Sequence, residues 1–421
     1  MHTVETINFI IMCLFFACYV YQFVYIPIAW LPRKKETLQA PMHRFAVLIA
    51  ARNEEAVIGK LIDSIKAQSY PGRLVKIFVT ADNCTDTTAE VARSHGAEVY
   101  ERYDTTRRGK GYALDFLLRE IKLRGHGRFD GYIVLDADNV LDRDFILRMN
   151  ETFSDGHDIV TCYRSSKNYG DNWISAGYAL WFLRESRYLN GARSRLGSSC
   201  GVSGTGFLFS QAVLDSQGGG WPFHLLTEDI EFTIDNVTRG MKVGYCPDAI
   251  AYDEQPISFR QSWAQRLRWS REYLQVFRKY GRALVSGIFR GSFSCYDMAM
   301  SIMPAAVLTG LSIVVNIGAA LVNVLYYHEW GVLGVSALQA LVNLYLTLFI
   351  IGAITTVTER KSIHCETAKK IFYVFTFPLF MLSYVPIVIQ SLFVTPEWTH
   401  IDHTRTLDVQ QICTGQYRDA V

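Results

Sequence analysis

The chain has 421 residues, half of them hydrophobic, and 42 Lys and Arg stand against 40 Asp and Glu for a formal net charge of +2. That length holds two or three domains, and the near-neutral balance leaves no basic field for a nucleic acid. Nine cysteines are scattered without a C-x-x-C pair, which argues against a structural zinc site or a disulfide scaffold and fits a reducing compartment for the soluble part.

The first predicted element is an uncharged stretch, Ile7–Pro32, longer than the roughly 20 residues that cross a bilayer. It is too long and too poor in leading positive charge for a cleaved signal, and it ends in Trp30 and then Arg33, Lys34 and Lys35, an interface anchor and a cytoplasmic-type charge run. Residues 1–32 are therefore expected as a transmembrane helix. Residues 33–256 read as an α/β unit: strands at Phe45–Ala50, Val75–Ala81, Ala97–Arg102, Tyr132–Asp136 and Ile159–Arg164, and one within Val243–Asp253. Helices are predicted from Arg52 to about Gln68, up to His95, over Tyr112–Lys122, over 142–153 and from Thr227 to about Arg239. Alternation at this spacing means βαβ units and a mostly parallel sheet. Neither G-x-G-x-x-G nor G-x-x-x-x-G-K-[ST] is present, so dinucleotide and P-loop readings are weak. Asn172–Leu189, rich in aromatic residues and Leu, is either an amphipathic surface helix or domain core.

Residues 257–297 are expected as interfacial amphipathic helices, 298–395 as three transmembrane helices (Met298–Tyr327, Val332–Val357, Ile371–Val394), and 396–421 as a polar tail. Arg360, Lys361, Lys369 and Lys370 crowd one inter-span loop, whereas Tyr326–Gly331 has no Lys or Arg. The positive-inside rule then puts residues 33–297 and 359–370 in the cytoplasm and the N-terminus outside. Four spans leave the tail outside, unless one apolar segment re-enters; Pro378 and Pro386 mark the last as that segment. No ionisable residue lies inside a span, which counts against a transport path through a single copy.

The chemistry concentrates where Tyr132–Asn139, YIVLDADN, runs four apolar or aromatic residues into Asp136 and Asp138. Two carboxylates at the carboxyl end of a buried strand either hold Mg²⁺ or Mn²⁺ or make an ordinary solvated turn. Asp82 ends the neighbouring strand, as a base or ribose contact or as a turn cap. Lys110, between two glycines at a helix start, suits a phosphate or simply faces water. Asp229, in a first helical turn, either favours the helix dipole or serves as a general base. In QRLRW, Gln265, Arg268 and Trp269 share a helix face. Arg donors suit a diphosphate and Trp a sugar ring, but such a helix also suits an anionic lipid surface.

Asp82, Asp136-Ala-Asp138, Thr227-Glu228-Asp229 and Gln265-Arg-Leu-Arg-Trp269, in this order, resemble the motifs of membrane-integrated family-2 glycosyltransferases with a GT-A fold. That group includes bacterial exopolysaccharide glycosyltransferases and cellulose, chitin and hyaluronan synthases. Arg52-Asn-Glu-Glu55 and Arg108-Gly-Lys-Gly-Tyr112 support it. The resemblance implies a Rossmann-like cytosolic GT-A domain with a helical membrane domain, in a bacterial plasma (inner) membrane. It implies a UDP-sugar donor, Mg²⁺ or Mn²⁺, and inverting transfer of a hexose or N-acetylhexosamine to a growing exopolysaccharide, or of a single sugar to a lipid-linked acceptor. By the resemblance, Asp229 is the base, and Asp136 and Asp138 hold metal and diphosphate. Glu54, Asp82, Lys110, Gln265, Arg266 and Arg268 bind the donor; Gly204, Thr205, Gly206, Glu228 and Trp269 line the acceptor site. The spans are few for a polymer channel, so secretion would need a second copy or an export partner.

Overall fold

The computed structural model describes residues 2–32, 40–225, 227–303, 330–394 and 403–414, with several helical residues between 308 and 322. Its centre is a mixed sheet built from β1 (Phe45–Ala51), β2 (Val75–Asp82), β3 (Glu98–Arg102), β4 (Gly131–Asp136), β5 (Val140–Leu141), β6 (Ile159–Ser166), β7 (Phe207–Ser210) and β8 (Val243–Asp253). The order is β3-β2-β1-β4-β7-β6-β8-β5. β3, β2, β1 and β4 run parallel; β7 pairs antiparallel with both β4 and β6; β6 and β8 are parallel; β5 pairs antiparallel with β8. Ala50 of β1 pairs with Thr80 on one side and Asp136 on the other, so the register brings the ends of β2 and β4 to one edge.

The strands form because near-continuous apolar runs are covered on both faces. In β1, Phe45, Val47 and Ile49 pack on one side, with Ile58, Leu61, Ile62 and Ile65 of α2 (Ile58–Lys66) and with Phe145 and Met149. Ala46 and Leu48 pack on the other, with Leu114 and Leu117 and with Phe207, Phe209, Trp221 and Phe232. This is the period-2 alternation of a strand between two helical layers.

α2 starts later than expected at Arg52. Asn53 sits in the left-handed region at φ 55°. The Glu54 and Glu55 N–H groups donate to Thr88 Oγ1 (2.8 Å) and Asp86 Oδ2 (3.2 Å) instead of starting a helix. The remaining helices of the unit are α3 (Thr88–Ser94), α4 (Lys110–Leu123) and α5 (Phe145–Ser154), then α6 (Trp173–Arg184), α7 (Gly191–Arg195), α8 (Gln211–Ser216) and α9 (Glu228–Thr238). α6 settles the choice left open for Asn172–Leu189 in favour of core. It is capped by Asn172, and every residue from Ile174 to Leu180, with Phe182 and Leu183, is buried. Beyond it the backbone passes through a π-helical turn, Glu185–Asn190.

Within the stretch expected as interfacial helices, α10 (Phe259–Phe289) runs for 31 residues and α11 (Phe293–Ile302) follows. Three helical segments are long and apolar enough to cross a membrane among the described residues: Phe9–Ile28, Leu341–Thr358 and Thr367–Phe393. The first matches the expected N-terminal span, helix His2–Ile28. Met298–Ile302 of the expected second span belong to α11, and most of the rest of that span, like Arg33–Lys35 and most of the tail, lies outside the described residues.

The last apolar segment is broken at Ser383, between helices Thr367–Leu382 and Tyr384–Phe393. Both of its ends touch the α/β unit or α10. Lys369 Nζ donates to the Gly170 carbonyl (3.1 Å), Trp263 Nε1 to Gln390 (2.7 Å) and Arg271 to the Ser391 carbonyl (3.0 Å). In between, Gly177 of α6 makes room for the Phe380 ring, since a Cβ there would lie 2.4 Å from it. After this segment the tail returns to the sheet edge: the N–H groups of Thr404 and Arg405 donate to the Glu254 carboxylate (3.0 and 2.9 Å).

Candidate active site

The sheet edge that ends β2 and β4 opens into a cavity of about 550 Å³, within the size range of small-molecule sites. β2 supplies Asp82, the β4 turn Asp136 and Asp138, the loop before α2 Glu54, and the start of α4 Lys110. Glu228 and Asp229 come from the first turn of α9, and Gln265, Arg268 and Trp269 from one face of α10. Residues scattered over some 200 positions of the chain thus meet in one place.

Lys110 is the electrostatic hub. Its ammonium donates to Asp136 Oδ1 (2.5 Å) and the Gly204 carbonyl (2.7 Å) and lies 3.6 Å from Glu228. Burial works against that charge, but Asp136 and Glu228 outweigh it and raise its pKa. Asp229 Oδ2 accepts the Gly204 N–H at 2.6 Å. Burial raises the Asp229 carboxyl above the ordinary range, against the pull of its backbone donors and Lys110. Glu228 is raised as well, by burial and the adjoining carboxylates, against the pull of Lys110. Asp138 moves the other way: burial opposes its charge, but His403 and Lys167, with the Glu254 N–H (2.9 Å), hold it below the usual range. Asp82 is tied to Arg102 at 2.6 Å.

Several expected residues lie elsewhere in this arrangement. Gly204 lines the cavity, but Thr205 and Gly206 stand behind it. The Thr205 hydroxyl accepts the Asp136 N–H (2.9 Å) and so positions the β4 turn. Gly206, at φ 67°, faces Cys162, whose sulfur a Cβ would meet at 2.2 Å. Arg266 is fully buried and points away from the cavity. Its guanidinium donates to the Phe380 carbonyl (3.0 Å) and Ser383 Oγ (2.7 Å) and lies over the Phe380 and Tyr384 rings. The expectation that it grips a diphosphate gives way to a clasp on the helix break, because position 266 is turned roughly 60–100° around α10 from Trp269 and Gln265, toward Phe380 and Ser383.

Among the cavity residues absent from the expected set are Arg164, Asp253, Glu254 and His403. Arg164 Nε pairs with Asp253 Oδ2 (2.6 Å). His403 Nδ1 lies 3.0 Å from both Glu54 oxygens. Burial opposes the imidazolium, yet Asp138 and Glu54 raise its pKa to about 10, whereas burial pushes Glu54 up to about 7. Arg164 and Asp253-Glu254 end predicted strands as Asp136 does, so the strand-end argument applied to Asp136 would have found them. His403 comes from the stretch 396–421, expected only as a polar tail.

Unpartnered polar atoms mark where a ligand fits. Gln265 Oε1, Arg268 Nε, Asp253 Oδ1 and both oxygens of Glu272 are buried without a hydrogen-bond partner among the described residues. Each costs on the order of 1–3 kcal/mol if nothing binds it. The carboxylate oxygens of Asp136, Asp138 and Asp253 are hard donors of the kind that suits Mg²⁺ or Mn²⁺, and the Arg268 and Lys110 cations suit a diphosphate.

Comparison with known proteins bears on the family and the fold. The family model described as glycosyltransferase like family 2 matches residues 43–272. The chain is 26% identical over 245 residues to a beta-monoglucosyldiacylglycerol synthase of Synechocystis, covering 58% of this chain and 50% of that protein. It is 27% identical over 239 residues to a poly-beta-1,6-N-acetyl-D-glucosamine synthase of Staphylococcus aureus, covering 53% of each. The matches thus span about half the length of these curated relatives. In fold the chain is similar to the mannosyltransferase PcManGT of Pyrobaculum calidifontis, solved with GDP-Man and Mn²⁺. The TM-score is 0.60 over 93% of this chain and 99% of that one, at 17% identity. On a match that covers more than half of its length, and on a GT-A-like fold, the chain belongs to glycosyltransferase like family 2.

Proposed function

We propose that the chain transfers a hexose or N-acetylhexosamine from a UDP-sugar, with inversion and with Mg²⁺ or Mn²⁺, to a hydroxyl acceptor at the cytoplasmic face of a bacterial plasma membrane. The observation that carries this reading is the convergence of Asp82, Asp136, Asp138, Asp229, Gln265, Arg268 and Trp269 on one cavity. The named relatives, one a glycolipid synthase and the other a polysaccharide synthase, support sugar transfer.

Each residue has a physical part. Asp136 and Asp138 would hold the divalent cation, which when bound supplies positive charge against the departing diphosphate. Lys110 and Arg268 add fixed positive charge on the same side, and Asp82 sits where the base or ribose would lie. Asp229 takes the proton of the attacking hydroxyl. Its N–H contact from Gly204 fixes the carboxylate, and its raised pKa makes it a better proton acceptor than an ordinary Asp. Trp269 lies edge-on to Tyr178, with ring centroids 5.8 Å apart, which holds its face for an acceptor.

For topology, the contact of His403 with Glu54 favours the re-entrant alternative. The tail and the catalytic cavity then share one side of the membrane, and Thr367–Phe393 does not cross. Growth of an exopolysaccharide would need a second copy or an export partner to complete a pore, whereas single transfer needs none.

The test is purified protein in nanodiscs with a panel of radiolabelled UDP-sugars and Mn²⁺ or Mg²⁺. UDP should form from one donor, stop on chelation and resume when metal is restored. Asp138→Asn should lose metal-dependent UDP affinity. Metal-independent turnover, or unchanged Mn²⁺-dependent affinity in the variant, would refute the metal assignment.

A further inference from the structure

We propose that the acceptor is a neutral membrane lipid with a free hydroxyl head, its hydrocarbon chain seated in an apolar arm of the active-site cavity. This rests on the sugar-transfer reading and deepens it by naming the acceptor class.

The cavity has two chemistries. One part of its lining is carboxylates, Lys110 and the arginines; another, the apolar arm, is Leu274, Ile302, Met381, Val385 and Val388, with Tyr384. Met381, Val385 and Val388 follow one another at i, i+4 and i+7 across the break at Ser383, so they form one stripe along the last apolar segment. Leu274, Met381, Val385 and Val388 are only half-buried, which leaves aliphatic surface open in the arm.

A glycan carries hydroxyls on every sugar, and each would need a partner once out of water. Aliphatic walls offer none. Ser301, which also lines the arm, already donates to the Asp297 carbonyl (2.8 Å) and accepts from Arg193 (3.0 Å). A hydrocarbon chain needs no partner and gains from every carbon buried. The same segment exposes Leu379, Leu392 and Phe393 on its outer surface. The arm is therefore about one helix diameter, roughly 10 Å, from where a bilayer would lie.

The charge at the junction selects the head group. Asp229 and Glu228 line the cavity as carboxyl groups. A hydroxyl can donate to these groups. A lipid phosphate would face the Asp229 carboxylate as like charge, while Lys110 is already engaged by Asp136 and Glu228.

The experiment uses the full chain in nanodiscs with its turned-over UDP-sugar, and alkyl β-glucosides of six, eight and ten carbons below micelle formation as acceptors. Farnesyl phosphate serves as the contrasting acceptor. Labelled sugar should enter the glucosides, with KM falling about tenfold for each two methylenes added, and farnesyl phosphate should accept little. Val385→Trp, which fills the arm, should raise the acceptor KM more than tenfold and leave UDP affinity unchanged. Chain-length independence, preference for farnesyl phosphate, or label only in a water-soluble polymer would each overturn the proposal. A protein that neither binds UDP nor consumes any UDP-sugar would bring down the transfer reading itself, and the acceptor proposal with it.

Discussion

Glu272 shows how burial alone can set the behaviour of one residue. It lies on α10 one turn beyond Arg268, 2% exposed, and burial pushes its carboxyl up to about 8 with Arg268 pulling the other way. The folded state therefore holds a proton that the unfolded chain releases near the ordinary value of 4.5. Its favourable contribution is complete below about pH 4.5 and is lost as pH rises through 8, by up to about 1.4 kcal/mol per unit. Glu272→Gln should accordingly raise the thermal midpoint at pH 8 and change it little at pH 4.5; equal shifts at both would show that Glu272 stays ionised. Most of the residues expected at the site that do line the cavity were legible in the sequence because strand ends and short motifs fix them locally. Glu272 and His403 were not, since nothing near either in sequence says what folds against it.

Among the elements, the break at Ser383 depends on a side chain from elsewhere. Two prolines marked the last apolar stretch as irregular, but its partner was hidden in the QRLRW motif. Arg266 shares the Phe380 carbonyl with the Ser383 hydroxyl (3.0 and 2.6 Å) and donates to that hydroxyl as well. Arg266→Met should lower the midpoint of thermal inactivation by an amount equivalent to about 1–3 kcal/mol, the loss of buried hydrogen bonds from a charged donor, while UDP affinity stays within twofold. A large loss of UDP affinity with an unchanged midpoint would return Arg266 to the diphosphate. β1 to β4 were legible because apolar runs alternate with helices at regular spacing. β7, four residues long and entered from the glycine-rich loop, carries too little pattern to read. Met298–Ile302 of α11 were absorbed into an expected span because they are as free of charge as the sequence that follows them.

At the scale of the whole molecule, the α/β unit and its apolar helices are tied by a few buried polar contacts. Asp297 of α11, fully buried, is held by Arg193 of α7 (2.7 Å) and by the hydroxyls of Tyr21 and Tyr25 of the N-terminal helix His2–Ile28 (2.8 Å each). Such long-range closure cannot be read from composition or periodicity, which gave only the apolar stretches and their charge bias. It bears on topology, as does the tail. A cysteine placed at exposed Gln410 in a cysteine-free background should react with an impermeant maleimide from the same side as one at Asp155, in inverted vesicles and not in intact cells. Labelling from opposite sides would mean that Thr367–Phe393 crosses the bilayer. The central claim, that Asp229 is the base of a UDP-sugar transfer, is tested most directly by Asp229→Asn, comparing UDP binding by calorimetry with sugar transfer in one preparation. The account predicts UDP affinity within a few-fold of the parent and transfer lower by about 10²–10⁴; transfer retained at the parent's rate would contradict it.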